Sequence, residues 1–259
     1  WRGKILPEQN YSQREYGPEY GGMSAADIEE AKRLGPSPKR VIEQCYSQRE
    51  YDPAKVDGLV AQGCDRLFTV PGESFLAVLD ALHDTPAIEV VTCRQEGGAA
   101  FMACADGTLT GRPGIAFVTR GPGATNASIG VHVAMQDSQP LILFIGDVDR
   151  GTRDREAFQE VDFAAMFAPL AKWAARIDDA ARIPEYLARA YATAINGRPG
   201  PVVLALPEDM LLDVVEAVDR PRVERLDQPP PQAAVAEALA RLRAARNPVA
   251  IVGGALVSS

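Results

Sequence analysis

One carboxylate stands out in the stretch RQEGGAAFMA, residues 94–103, because small side chains surround it. Glu96 follows the apolar run IEVVT and directly precedes two glycines and two alanines. A carboxyl group shielded by small neighbours can share a proton with a weakly basic partner. A glutamate at the start of a helix is also favoured simply by its interaction with the helix macrodipole. Taken alone, the position of Glu96 favours the second interpretation, in which the glutamate only stabilises the start of a helix.

A second candidate is the glycine-rich stretch VTRGPGATNASIG, residues 118–130, in which an apolar run is predicted to pass through a turn into a helix. Gly121 and Gly123 would let the backbone come close to a ligand, and Asn126 is expected in the first helical turn, where unpaired amides point outward. A dinucleotide-binding fingerprint is the rival interpretation. Its third glycine is missing, since Asn126 occupies that place, so the rival is disfavoured.

Histidine and cysteine offer no further catalytic or metal-binding pattern. His83 and His132 are the only histidines and are interpreted as structural, although either could be a base by type. Four cysteines lie at positions 45, 64, 93 and 104 without a CxxC pair or a histidine at metal-ligand spacing. Reduced thiols are the simplest interpretation, and a pairing of Cys93 with Cys104 through folding stays open.

Composition and charge exclude several classes of protein. The chain is 46% hydrophobic and 24% charged, which is ordinary globular usage. Lysine and arginine number 27 against 35 acidic residues, giving a net charge of −8. This balance disfavours nucleic acid or an anionic membrane as the main partner. Without an apolar run of roughly 18 residues or a signal sequence, the expected location is the cytoplasm.

The start of the chain differs from the rest. Residues 1–51 are polar, rich in tyrosine and interrupted by glycine and proline, and they contain YSQREY twice. Two copies without a shared apolar pattern do not make a repeat array. We predict an irregular N-terminal extension with one short helix near SAADIEEAKRL.

From residue 52 onward, short apolar runs alternate with longer amphipathic segments. The runs predicted as strands are RLFTV, IEVVT, GIAFVT, PLILFIG, AKWAARI and PVVLAL. Continuous apolar strands separated by helices require a parallel sheet that is covered on both faces. The sequence therefore predicts a three-layer α/β/α domain over residues 52–218. The helix before IEVVT is expected to be capped by Ser74.

A change of composition follows this domain. Residues 219–232 are rich in proline and charge and are predicted to form an extended linker. Residues 233–259 read as one helix and one strand, the start of a second α/β domain, which alone cannot bury a core. The sequence is therefore interpreted as a truncated member of a larger architecture.

Six motifs occur in one order along the chain. They are VPGES at 70–74, RQEGGAAFMA at 94–103, TRGPGATN at 119–126, MQDSQPLILFIGDV at 135–148, EAFQEVD at 156–162 and GRPGPVVLALPEDM at 197–210. This series resembles the N-terminal, pyrimidine-binding domain of thiamine diphosphate enzymes, most closely the acetolactate synthase group. The resemblance covers about residues 53–259 and is far more specific for the superfamily than for one reaction.

The resemblance implies a catalytic role for Glu96. In the family, a glutamate at this place hydrogen-bonds N1′ of the cofactor's aminopyrimidine and favours the imino tautomer that removes the thiazolium C2 proton. Small neighbours then leave room for a flat ring. The resemblance also implies cofactor contacts from Pro71 and Gly72 in one turn and from Pro122 and Asn126 in another, with Asn126 facing the aminopyrimidine edge.

Other matches imply contacts with the substrate. Phe158 and Gln159 match residues that face the reacting centre, and Gln159 could donate to a substrate oxygen; an exposed loop glutamine is the alternative. Lys172, with Trp173, matches a position that faces a domain or subunit boundary, although a surface lysine is equally consistent. The synthases commonly have tyrosine where this chain has Val70 and small residues where it has Glu73 and Ser74.

The resemblance implies an enzyme that decarboxylates a 2-keto acid such as pyruvate and joins the product to a second carbonyl, with thiamine diphosphate as cofactor. The site would form between two chains, so a homodimer or a higher homo-oligomer is expected. No GDG…N motif occurs, so Mg²⁺ would be bound only through an absent C-terminal domain. The chain alone is expected to be inactive, and FAD stays possible. The alternatives are a non-catalytic subunit or binding module, or another lyase, decarboxylase or oxidase of the superfamily.

Overall fold

The computed structural model describes residues 54–218, 220–226, 229–251 and 253. All of them belong to one compact unit, which spans Tyr51–Ser259. The predicted N-terminal extension, its short helix and Cys45 lie outside the described residues.

A single parallel sheet forms the centre of this unit. It has six strands in the order β2-β1-β3-β4-β6-β5. The strands are β1 (Arg66–Thr69), β2 (Glu89–Thr92), β3 (Gly114–Thr119), β4 (Leu141–Asp147), β5 (Trp173–Arg176) and β6 (Pro201–Pro207). The central strands β4 and β6 are buried along their whole length, as continuous apolar runs require. The predicted α/β class and parallel sheet are confirmed.

Of the seven α-helices in the described residues, the first six in chain order cover the two faces of the sheet. The seven helices are α1 (Ala54–Ala61), α2 (Leu76–His83), α3 (Glu96–Thr110), α4 (Arg120–Asp137), α5 (Phe163–Phe167), α6 (Ile183–Ile195) and α7 (Gln232–Ala244). Helices α1, α2 and α6 contribute to one apolar core, whereas α3, α4 and α5 contribute to the other. The three predicted layers follow from these two cores. Helix α7 is exposed along its length.

Helices α3 and α4 approach each other through very small residues. Ala99, Ala100 and Ala103 of α3 are fully buried. A Cβ atom at Gly130 of α4 would lie 2.4 Å from the Cβ of Ala100, so only glycine fits this contact. The close approach brings the beginnings of the two helices together, and both follow the carboxyl ends of strands.

Two predicted helix starts are wrong. Helix α4 begins at Arg120, before the glycines rather than after them, because Gly121 and Gly123 lie in the helix. Glycine has low helix propensity, so its presence suggested a turn, but Gly123 is packed against β3, where a Cβ would lie 3.2 Å from Val118 Cβ. Ser74 does not cap α2; its hydroxyl lies 2.5 Å from that of Thr119 instead.

Residues 220–226 lie along the surface of the unit. Gln62 is buried, and its side-chain amide donates to the carbonyl oxygens of Arg220 at 3.3 Å and Pro221 at 3.1 Å. The Val223 amide donates back to Gln62 Oε1 at 2.9 Å. Part of the predicted linker is thus hydrogen-bonded to the sheet domain. The proposed boundaries at 52–218, 219–232 and 233–259 stay predictions.

Within the described ranges, none of the helices combines the length and the apolar character that crossing a bilayer would require.

Candidate functional site

Glu96 is the first residue of α3, as the sequence predicted. Gln95 caps the helix, since its side-chain oxygen accepts a hydrogen bond of 2.9 Å from the Gly98 amide. The Glu96 side chain is half-buried, and its Oε2 accepts a hydrogen bond of 2.9 Å from Asn126 Nδ2. The carboxylate is therefore held from one side by a neutral donor on the neighbouring helix.

The two glycines that follow Glu96 differ in their surroundings. A Cβ atom at Gly98 would meet no other described atom within 4 Å. At Gly97, by contrast, a Cβ would lie 2.9 Å from Gln95 Oε1 and 3.2 Å from the carbonyl oxygen of Asn126. Gly97 thus lets α3 meet α4, whereas Gly98, two residues along the helix from Glu96, faces open space.

The structure changes the interpretation of Asn126. Because α4 begins at Arg120, Asn126 lies in the second helical turn and not in the first, where free backbone amides would be found. Its side chain is exposed but is already engaged with Glu96. Asn126 therefore orients the carboxylate, and its second amide proton and its oxygen could still contact a ligand. Pro122 is exposed in the first turn of the same helix.

The turn that contains Pro71 and Gly72 lies against the start of α4. A Cβ at Gly72 would be 2.3 Å from Thr119 Cβ, so any side chain there would separate the two segments. Pro71 is exposed and Gly72 is half-buried. Thus the two segments predicted to contact the cofactor are in direct contact with each other.

Gln159 lies in a loop that is also attached to the start of α4. Its carbonyl oxygen accepts a hydrogen bond of 3.0 Å from the Gly121 amide. A Cβ at Gly121 would approach that oxygen to 2.9 Å. The Gln159 side chain is half-buried, whereas Phe158 is 72% exposed. The loop places both residues at the same edge of the sheet as Gly72 and Glu96.

A carboxylate that the sequence did not single out stabilises this loop. Three of its non-glycine residues, Asp154, Glu156 and Gln159, have positive φ angles of 61°, 53° and 64°. Glu160 accepts hydrogen bonds from the amides of Asp154 at 2.6 Å and Ala157 at 2.9 Å. These backbone donors lower the pKa of Glu160. The carboxylate thus holds a backbone conformation that non-glycine residues rarely adopt.

Arg120 is a second residue that sequence reasoning missed. Its side chain is only 11% exposed and forms ion pairs with Glu73 at 3.2 Å and Glu208 at 2.8 Å. The sequence held one signal for the Arg120–Glu73 ion pair: an unusual glutamate in the VPGES turn and an arginine directly before the GPG motif. Two charges so far apart in the sequence did not suggest a pair.

Several other candidates lie apart from this arrangement. Lys172 Nζ donates to the carbonyl oxygens of Thr193 and, at 3.0 Å, of Asn196, and burial lowers its pKa. Lys172 therefore satisfies backbone carbonyl groups at the end of α6, and the expectation that it faces a domain or subunit boundary stays a prediction. His83 and His132 are both exposed.

Asp147, the last residue of β4, is buried, with 3% exposure. Burial raises its pKa, while the Val148 amide donates to it at 2.7 Å and Arg176 lies 3.2 Å away. Cys93 and Cys104 are free thiols, so their pairing is excluded here. Burial raises the pKa of Cys104 to about 12, which makes it unreactive.

The part of the chain that the structure describes contains no group of three His, Cys, Asp or Glu side chains arranged to hold a metal ion. The chemical groups at the candidate site are instead the carboxylate of Glu96 and the carboxamide of Asn126. These fit a flat heterocycle with both donor and acceptor atoms. They do not resemble a set of ligands for a diphosphate-bound cation.

Comparison with known proteins identifies the class. Residues 52–166 match the family described as thiamine pyrophosphate enzyme, N-terminal TPP binding domain. Residues 52–166 therefore form the N-terminal domain of a thiamine pyrophosphate enzyme, as the ordered motifs indicated. Glu96, Asn126 and Gln159 all lie within the matched residues.

Its relatives include acetolactate synthases from several bacteria. The chain is 37% identical over 203 residues to acetolactate synthase of Bacillus subtilis (strain 168), covering 76% of this chain and 35% of that protein. It is 36% identical over 210 residues to acetolactate synthase isozyme 3 large subunit of Escherichia coli (strain K12), covering 79% of this chain and 37% of that protein. It is 34% identical over 215 residues to acetolactate synthase large subunit of Parasynechococcus marenigrum (strain WH8102), covering 80% of this chain and 35% of that protein. The chain thus spans about a third of these relatives' length.

Proposed function

We propose that the chain supplies the pyrimidine-binding half of an acetolactate synthase-like active site, and that Glu96 is its catalytic carboxylate. The observation that carries this proposal is the hydrogen bond of 2.9 Å that Asn126 Nδ2 donates to Glu96 Oε2 at the start of α3. The relatives named acetolactate synthase support pyruvate, or another 2-keto acid, as the substrate.

The proposed cofactor is thiamine diphosphate, which supplies an acidic thiazolium C–H whose deprotonation creates the nucleophile for the keto group. Glu96 would share a proton with the ring nitrogen of the aminopyrimidine that faces it. Asn126 would hold the carboxylate in position while its remaining amide atoms contact the ring edge. Gly72 and Pro122 would lie against the ring, because both flank the start of α4.

Gln159 is proposed to contact the substrate. Its backbone is fixed by the Gly121 amide, so the side chain is presented from a tethered loop rather than a free one. A carboxamide at this place could donate a hydrogen bond to oxygen as negative charge develops there. The neighbouring Phe158, which is 72% exposed, would exclude water from the reacting groups.

We further propose that the active enzyme is a homodimer or a higher homo-oligomer. Phe101 and Met102 on α3 and Ile129 on α4 are 42%, 40% and 54% exposed, and they follow Glu96 and Asn126 along the same two helices. Exposed apolar side chains grouped on a helix pair are typical of a surface that a partner covers. Such a partner would complete the desolvation of Glu96 and bring Mg²⁺ and the diphosphate-binding groups.

The test uses the full-length protein that carries this chain, incubated with thiamine diphosphate, Mg²⁺ and pyruvate. We expect pyruvate consumption to be accompanied by acetolactate, with carbon dioxide released. Pyruvate consumption that yields acetaldehyde or acetate would place the protein among the other reactions of the superfamily. Failure to bind the cofactor would instead favour a non-catalytic subunit, and size measurements in the same buffer would test the oligomer.

A further inference from the structure

The Arg120 side chain connects three loops at the carboxyl edge of the sheet. Arg120 follows β3, Glu73 follows β1 and Glu208 follows β6. The guanidinium lies between the two carboxylates, with N···O distances of 3.2 Å to Glu73 and 2.8 Å to Glu208. Because the arginine side chain is only 11% exposed, these pairs are less screened by water than ordinary surface pairs.

The backbone of Arg120 is unusual as well. Its φ angle is 43°, in the left-handed region that a non-glycine residue seldom adopts. Holding an arginine there costs free energy, so the surrounding contacts must favour its side chain at this place. The Nε atom is buried and has no hydrogen-bond partner within the described residues, so the two ion pairs hold the guanidinium through its terminal nitrogens.

Two further contacts join the turn at residues 71–74 to Thr119, the residue before Arg120. Gly72 packs directly on Thr119, where a Cβ would be 2.3 Å from the threonine Cβ. The hydroxyl groups of Ser74 and Thr119 are 2.5 Å apart. The turn at residues 71–74 is thus tied to residues 119–120 by a van der Waals contact, a hydroxyl contact and an ion pair.

We propose that Arg120 is a positioning residue that fixes the Pro71–Gly72 turn against the start of α4. Its role is indirect, since its charge is satisfied by Glu73 and Glu208 and it does not need to contact the ligand. The inference rests on the proposed function, because the two segments that it joins are those proposed to enclose the pyrimidine. Without Arg120, only the contacts with Thr119 would hold the turn, so the separation of Gly72 and Pro122 would be fixed less tightly.

Arg120→Gly is the informative variant because glycine adopts a positive φ without strain. It removes the ion pairs while keeping the backbone conformation, so the domain should still fold. Ser138→Gly is the matched control: Ser138 has a φ of 59° at the other end of α4, and glycine there relaxes the backbone without touching the site. Glu73→Gln removes one ion pair and leaves Arg120 paired with Glu208.

The measurement is the Kd of thiamine diphosphate, with Mg²⁺, on the full-length protein. We expect Arg120→Gly to raise Kd about tenfold, the effect of losing one good interaction, and Ser138→Gly to leave it unchanged. Glu73→Gln should raise it by a smaller factor, roughly twofold to fivefold, because the Glu73 side chain is 67% exposed. A purely structural role would lower the unfolding temperature of Arg120→Gly without changing Kd.

The proposal is overturned if Arg120→Gly binds the cofactor as tightly as Ser138→Gly. If the unsubstituted protein binds no thiamine diphosphate, the proposed function is wrong, and hydrogen exchange still decides the positioning role. Amides of residues 72–74 should then exchange faster in Arg120→Gly than in Ser138→Gly, and equal exchange would refute the contact.

Discussion

Nδ2 of Asn126 lies 2.9 Å from Oε2 of Glu96 and donates a hydrogen bond to it across the contact between α3 and α4. The two residues lie on helices that follow different strands, β2 and β3. They meet because the small residues Gly130 and Ala100 let these helices approach each other closely. The carboxylate that we propose to bind the cofactor is thereby oriented by helix packing rather than by its own loop.

Asn126→Ala should weaken cofactor binding more than it weakens the fold. The substitution removes a donor to a charged group, which corresponds to roughly a tenfold rise in the Kd of thiamine diphosphate. Because Asn126 is exposed, the free energy of unfolding should fall by less than about 1 kcal/mol. Calorimetric titration of the full-length protein measures the first effect and urea unfolding the second. Gln136→Ala, an exposed carboxamide near the end of α4, is the control, and an equal Kd in both variants would contradict the role.

Gly130→Ala should destabilise the domain, whereas Gly98→Ala should not. At Gly130 the new methyl group would overlap Ala100 and force the helices apart, at a cost of about 1–3 kcal/mol. At Gly98 the methyl group would meet open space, and the higher helix propensity of alanine could add up to about 1 kcal/mol. Urea denaturation of both variants gives the comparison. Equal midpoints would mean that the α3–α4 contact is not as close as described.

Glu160 should make the order of its loop depend on pH. Its folded-state pKa lies below the ordinary value of 4.5, so its contribution is present above that pH and is lost as pH falls through the folded value. Hydrogen-exchange protection of the Asp154 and Ala157 amides should therefore drop in this acid range, relative to amides of β4. In Glu160→Gln, protection should be lower near neutral pH and show no such step. The same acid step in both proteins would assign it to another group.

The layered fold could be predicted because its determinants are local. Strands β3, β4 and β6 are apolar runs, and Glu96 begins a helix directly after an edge strand. The predicted start of α4 failed because glycine propensity opposes the helix, while the packing of Gly121 and Gly123 against the Gln159 loop and β3 requires it there. Local preference was overridden by tertiary contact.

Apart from the local hydrogen bonds of Glu160, the contacts that were not predicted from the sequence are long-range. The ion pair between Arg120 and Glu73 joins segments after two different strands, and neither residue belongs to a periodic pattern. The hydrogen bond from Lys172 to the Asn196 carbonyl oxygen at the end of α6 is likewise a contact that spacing does not reveal. Spacing along the chain indicates which side chains share an element; it does not identify which charges meet when parallel strands align their ends.

Glu96 is proposed to be the carboxylate that activates the cofactor. The most direct test of this proposal is the rate of pyruvate consumption by the full-length protein and by Glu96→Gln, both saturated with thiamine diphosphate and Mg²⁺. Glutamine keeps the size of the side chain but cannot share a proton, so the rate should fall by a factor of about 10² or more. Glu216→Gln, which removes an exposed carboxylate, should retain the parent rate. An unchanged rate in Glu96→Gln, with the cofactor bound, would contradict the assignment.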